Sequence, residues 1–303
     1  MAGLVLTTRD EDLFRALWML RVMTVDQLRR MAFYQPKTGR LSNLNNTRMR
    51  LKRLEDAGYL RGELVRHEHS NHQEKVYFLD QPALKPLERF GVVQNRISEF
   101  KALHTHRQIY HALMVSECGV RMWESVRQTD IPLPKLAPFQ MPFYHTHAVA
   151  NRHTKKHVER FITQVDVPVP GKHHPYRVRP DLIFGLERSG LARLFFLEAD
   201  RGFEGHQEIA AKLEGYVHYA RLENPDAPGE LAWHQYGLKR DFRVLFVTTT
   251  ERRLQNLWDS LHTIPGFELW AMTTFDALKN QNPILDTIWK TADGSLRALM
   301  RSS

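Results

Sequence analysis

The stretch that most constrains this chain is Arg179–Gly202, "RPDLIFGLERSGLARLFFLEADRG". Two apolar runs, "LIFGL" and "RLFFL", flank the polar segment "ERSG". Short apolar runs bounded by turn residues predict central strands, covered on both faces and joined by a tight connection. Asp181 stands where the first strand starts, Glu198 is placed mid-way along the second, and Asp200 follows two residues later. Neighbouring strands bring Asp181 and Glu198 together. Three carboxylates with no lysine among them repel one another, and a cation is the simplest relief.

The surrounding pattern extends these strands into a domain. A long helix is predicted over 106–128, with Ile109, Leu113, Val120 and Trp123 on its inner side. "VERFITQVDVPV" reads as a strand before the Asp181 strand. A helix over about 205–222, the strand "FRVLFVTTT", a helix over about 251–262 and the strand "FELWAMTT" follow. This order, αβββαβ, is that of a restriction-endonuclease-like core, an α/β arrangement. Pro132, Pro134, Pro138 and Pro142 mark an irregular Pro/His-rich insertion at 130–157.

Residues 8–80 read differently. Thr8 with Glu11, Thr24, and Ser42 or Asn43 open three helices; Gly58 closes the third. Strand-like runs on either side of "EHSNHQ" complete a hairpin. Three helices and a hairpin predict a winged helix-turn-helix over 1–80, of α+β class, with a connector at 81–103 and the second domain at 104–303. The third helix carries Arg48, Arg50, Lys52 and Arg53, with Met49, Leu51 and Leu54 for a buried side. In such folds the last helix enters the major groove of double-stranded DNA. Asn43, Asn45, Asn46 and Arg48 are placed to meet base edges, and Arg50, Lys52 and Arg53 to meet phosphates. Arg61, Arg66, His67, His69 and His72 lie on the wing. The net charge of +9 agrees with a polyanionic partner. A basic face is equally what a protein-interaction module would expose.

Asp181 and Glu198 are hard oxygen ligands suited to Mg²⁺ or Mn²⁺, with Asp200 as a third carboxylate and the Ala199 carbonyl and Glu117 as further candidates. In a large group of DNA-cutting enzymes, Pro-Asp is followed after a gap by an acid, any residue and a lysine. Here Asp200 holds the lysine's place. Lys212, four residues after Glu208 and four before Tyr216, lies on one face of a predicted helix. Lys212 is the candidate moved lysine, and Tyr216 a candidate phosphate ligand. The same spacing also describes a surface Glu-Lys pair and a half-buried tyrosine. His145, His147, His153 and His157 lie near Lys155, Lys156 and Arg160, a second candidate phosphate-binding surface. "YHTH" superficially resembles the metal motif of another class of nickase, but Thr146 is no bulky hydrophobe and its flanks read as loop.

Together, the winged helix and the motifs Arg-Pro-Asp, Glu-x-Asp-Arg-Gly and Lys-x-x-x-Tyr resemble the replication-relaxation family over most of residues 8–250. The resemblance implies a DNA-binding protein of a plasmid or other mobile element, acting in replication, mobilisation or conjugation beside other proteins of those processes. It maps Asp181, Glu198, Asp200, Lys212 and Tyr216 to the catalytic motif positions, and Glu-x-Asp looks like the family's own pattern.

Cys118 is the sole cysteine, which excludes an internal disulfide and a thiolate-only metal site. No run of eighteen apolar residues exists, and the N-terminus lacks a signal-peptide pattern. A cytoplasmic protein without a membrane partner is expected. Two functions remain open: a metal-dependent nickase of relaxase type, and a non-enzymatic regulator whose second domain is an assembly or homodimerisation platform.

Overall fold

The computed structural model describes residues 4–35, 39–66, 73–88, 105–128, 145–150, 157–162, 165–168, 175–188, 191–224, 227–236, 242–264 and 266–300. The chain divides into two compact units, Met1–Glu124 and Ser125–Ser303.

In the first unit, α1 (Thr8–Leu20) starts one residue earlier than the Thr8/Glu11 expectation. Asp10 accepts from both the N–H and the hydroxyl of Thr7, each at 2.7 Å, and so fastens the first turn. β1 (Met23–Thr24) leads into α2 (Val25–Ala32), where Thr24 and Gln27 cap each other reciprocally. β2 (Tyr34–Gln35) and β3 (Arg40–Leu41) form a short ladder. α3 (Leu44–Asp56) ends at Gly58, whose φ of +77° would strain a side-chain-bearing residue. β4 (Leu60–Arg66) and β5 (Gln73–Leu79) pair antiparallel, and β1 adds to the other edge of β5.

α4 (Leu84–Glu88) follows, then the long α5 (His106–Gln128). The sequence reading places α5 in the second domain, yet its packing up to Glu124 lies with the first unit. Ile109 and Ala112 are buried with Val22, Val65, Val76 and Phe78. The Ser116 hydroxyl bonds the carbonyls of Leu20 and Val22 at 3.1 and 2.6 Å. Glu117, a candidate metal ligand, instead takes the Arg30 guanidinium and, at 3.1 Å, the Gln27 amide.

The second unit contains two small ladders, β6 (His145–Ala150) with β7 (His157–Ile162), and β8 (Val165–Val167) with β9 (Tyr176–Val178). Residues 145–150, read as part of an irregular insertion, are therefore strand. The single strand expected over 158–169 is split between β7 and β8, and neither joins the main sheet. Lys155, Lys156 and His153 lie outside the described residues, as do His67, His69 and His72.

The main sheet runs β10 (Leu182–Arg188), β11 (Leu191–Asp200), β12 (Phe242–Thr248), β13 (Trp270–Thr274), β14 (Trp289–Thr291), β15 (Leu296–Arg297), in that spatial order. Strands β11, β12 and β13 are parallel and the remaining pairings antiparallel. α6 (His206–Tyr219) connects β11 to β12, α7 (Glu251–Leu261) connects β12 to β13, and α8 (Phe275–Asn280) follows β13. Leu194, Phe196, Val244 and Phe246 form one core with Ile209, Leu213 and Tyr216 of α6 and Leu254, Leu257 and Leu261 of α7. Among the described residues, no helix is long and apolar enough to cross a membrane.

Candidate functional site

The β10–β11 ladder pairs Leu182 with Leu197 and Ile183 with Phe196. One step further, Asp181 faces Glu198. The Asp181 N–H donates to the Leu197 carbonyl at 3.0 Å, and its carboxylate accepts the Ala199 N–H at 2.8 Å. Side chains alternate along a strand, so Glu198 shares the α6-facing side with Leu194 and Phe196. It lies near the C-terminal end of β11 rather than mid-strand.

Glu198 is only 3% exposed. α6 supplies its partners. Lys212 Nζ is 3.1 Å from Glu198 Oε2, and the Tyr216 hydroxyl donates to Oε1 at 2.5 Å. Glu204, in the turn before α6, holds the same ammonium at 2.8 Å. Burial pushes the Glu198 carboxyl up to about 7; Lys212 opposes the shift and the Asp181 charge adds to it. Burial alone would lower the Lys212 pKa, but Glu198, Glu204 and Asp181 raise it, keeping the ammonium charged.

Asp200 is engaged elsewhere. Its carboxylate accepts Arg253 Nε and the Thr248 hydroxyl, each at 2.9 Å, and the Gly202 N–H at 2.8 Å. The donor set thus fits a hard divalent cation at Asp181 and Glu198, two carboxylates on adjacent strands, with the remaining positions left to water. It does not fit Asp200 as a third ligand. Among the described residues, no group of three or more His, Cys, Asp or Glu is arranged to hold a metal.

On α3, the Oδ1 of Asn43 caps the helix, accepting the Asn45 N–H at 2.8 Å. Arg50, expected on phosphate, is turned inward: its guanidinium grips the fully buried Asp10, with Nε 2.8 Å from Oδ1. Asn45, Asn46, Arg48, Lys52 and Arg53 are exposed. Met49, expected to be buried, is 55% exposed beside them. Lys52 pairs with Asp56 at 2.7 Å on that open surface, and Arg66 is exposed at the end of β4.

The replication-relaxation family matches residues 14–229, more than half of the chain. The chain belongs to this family. Comparison with curated protein sequences yields no match. Among solved structures, restriction endonuclease FokI is similar at 12% identity and a TM-score of 0.26. The alignment covers 92% of this chain and 45% of that one, so the chain spans less than half the length of FokI.

In this replication-relaxation protein, Asp181, Glu198, Lys212 and Tyr216 come together, while Asp200 is held by Arg253 and Thr248. Tyr216, expected at a phosphate, is 1% exposed and serves Glu198 instead. Glu204 and Arg253 were not singled out by the sequence. Glu204 lies in a turn with no periodicity to flag it, and Arg253 meets Asp200 across 53 residues.

Proposed function

We propose that the protein binds double-stranded DNA through a winged helix in its first unit and cleaves one strand with Mg²⁺ or Mn²⁺ at Asp181 and Glu198. The observation that carries this reading is the cross-strand acid pair with the Lys212 ammonium 3.1 Å from Glu198. A cation bound there supplies charge neutralisation at a phosphate and a water of lowered pKa. Tyr216 orients Glu198. Glu204 holds Lys212 from its other side, so the ammonium stays in place when Glu198 turns to a cation, ready to donate to a developing negative charge. Membership of the replication-relaxation family supports action on plasmid or other mobile-element DNA in replication or mobilisation.

One observation favours a second reading. Both Glu198 oxygens already have partners in Lys212 and Tyr216, a closed network that suits a non-enzymatic assembly factor. Both readings share the DNA-binding unit, which a salt titration of duplex affinity tests. Replacing Lys52 or Arg53 by Ala should reduce the slope of log K against log salt by about 0.9 for each phosphate no longer neutralised. Changing Asn46 or Arg48 should relax sequence preference by about 1–3 kcal/mol. Slopes and preferences identical to those of the wild type in all four variants would remove α3 from the DNA interface.

A further inference from the structure

α3 has its buried side without Met49. Thr47, Leu51 and Leu54 are fully buried and form one stripe at helical spacing. Met49 lies across the helix from that stripe and is 55% exposed. Its neighbours three and four residues away are Asn45, Asn46, Lys52 and Arg53, all exposed, and Arg48 beside it is exposed as well. Among the described residues, no side-chain partner engages Arg48 or Arg53. Lys52 pairs with Asp56, four residues further along. One apolar side chain therefore stands in the middle of a polar, cationic face.

The charge names the occupant. Arg48, Lys52 and Arg53 face a single acid, Asp56, so the surface complements a polyanion. A packed apolar partner would bury these cations without enough counter-charge. On duplex DNA they rest on phosphates, and the middle of the face enters the major groove. Base edges there present donors and acceptors, with one exception, the C5-methyl group of thymine. Asparagine and arginine pair with the polar edges. A thioether has no donor and accepts weakly, so the methyl group is the base feature that Met49 can cover.

We infer that Met49 is a specificity residue of α3 and recognises a pyrimidine C5-methyl group in the major groove, that of thymine in unmodified DNA. This rests on the reading of α3 as the helix that meets duplex. It divides the work on that face: Asn46 and Arg48 read polar edges, Met49 reads the methyl group, and Lys52 and Arg53 hold the helix on phosphates.

The test uses the full chain and a duplex oligonucleotide selected from random sequence for binding to it. Each thymine of the site is replaced in turn by deoxyuridine, which pairs with adenine in the same way but lacks the methyl group. At one position the replacement should weaken wild-type binding about fourfold, the worth of one methyl-sized apolar group. Met49→Ala should bind the thymine and uracil duplexes alike. Met49→Leu should restore the difference, and Met49→Gln, similar in length but polar, should not. All three variants should keep the wild-type melting temperature and salt slope, because the side chain is exposed and neutralises no phosphate. At the same position, 5-methylcytosine opposite guanine should bind the wild type more tightly than cytosine does, and Met49→Ala should not tell them apart. A preference for 5-methylcytosine over thymine would make methylated DNA the source of the methyl group. If no thymine carries a uracil penalty in the wild type, or if the penalty survives in Met49→Ala, the inference is overturned while duplex binding stands. A Met49→Ala protein that loses self-association and keeps the uracil penalty would assign the side chain to a contact between copies, and also overturns it. A wild type without duplex affinity overturns the reading of α3 as well.

Discussion

Arg50→Ala should lower the unfolding temperature of the first unit by on the order of 10 °C, and this loss should not depend on DNA. Asp10 is fully buried, and Arg50 is its cationic partner. Burial pushes the Asp10 carboxyl up, but bonds from Arg50 and Thr7 overcome it and hold the pKa below the usual range. Removing the guanidinium leaves a carboxylate in the core with only Thr7 for company, at a cost of about 3–5 kcal/mol. A carboxyl whose folded pKa is depressed contributes stability above its unfolded value and loses it as pH falls through the folded value. The gap between wild type and variant should therefore close below about pH 4. Replacing both partners, Asp10→Leu with Arg50→Met, should recover most of the loss. Arg48→Ala and Arg53→Ala should melt with the wild type, since their side chains are exposed. An Arg50→Ala protein of wild-type stability and weakened DNA binding would return Arg50 to the phosphate role.

Lys212→Met should destabilise the second unit by an amount that grows with pH. In metal-free buffer, Glu198 has Lys212 and Tyr216 as partners and Asp181 as a like-charged neighbour. Its carboxyl already stands at about 7, and loss of the ammonium drives it higher. A carboxyl raised in the folded state disfavours folding as pH climbs from its unfolded value toward the folded one. Wild type and variant lose stability alike up to about pH 7, and above it only the variant goes on losing about 1.4 kcal/mol per pH unit. Denaturant unfolding at pH 6, 7 and 8 should show Lys212→Met falling behind the wild type above pH 7. Adding Glu198→Gln should abolish that trend, because an amide does not titrate. A pH-independent difference would mean that Lys212 does not balance the Glu198 charge.

The elements that were legible in the sequence are those set by local pattern. Apolar runs on either side of "ERSG" predicted the strand pair that sets Asp181 against Glu198. The four-residue spacing of Lys212 and Tyr216 put both on one helix face. Thr24 and Gly58 marked helix ends because capping involves only neighbours. The misplaced residues depend on partners far along the chain. Arg50 meets Asp10 across 40 residues and Arg30 meets Glu117 across 87. A charge on a helix looks the same in sequence whether it faces phosphate or a buried acid. Asp200 shared this ambiguity: its position beside Glu198 suggested a third ligand, and only packing of α7 on the sheet brings Arg253 to it. Met49 fell on an apolar-looking stripe but lies outside the core. The strand at 145–150 was hidden by the prolines before it.

The most direct measurement is the conversion of supercoiled plasmid to nicked circle by the full chain, with Mg²⁺ or Mn²⁺, on DNA selected for binding to the protein. The expected result is metal-dependent nicking that Asp181→Asn abolishes and that Lys212→Met slows by about 10²- to 10³-fold. No nicking with either metal, or nicking that survives Asp181→Asn, would contradict a cleavage site at Asp181 and Glu198.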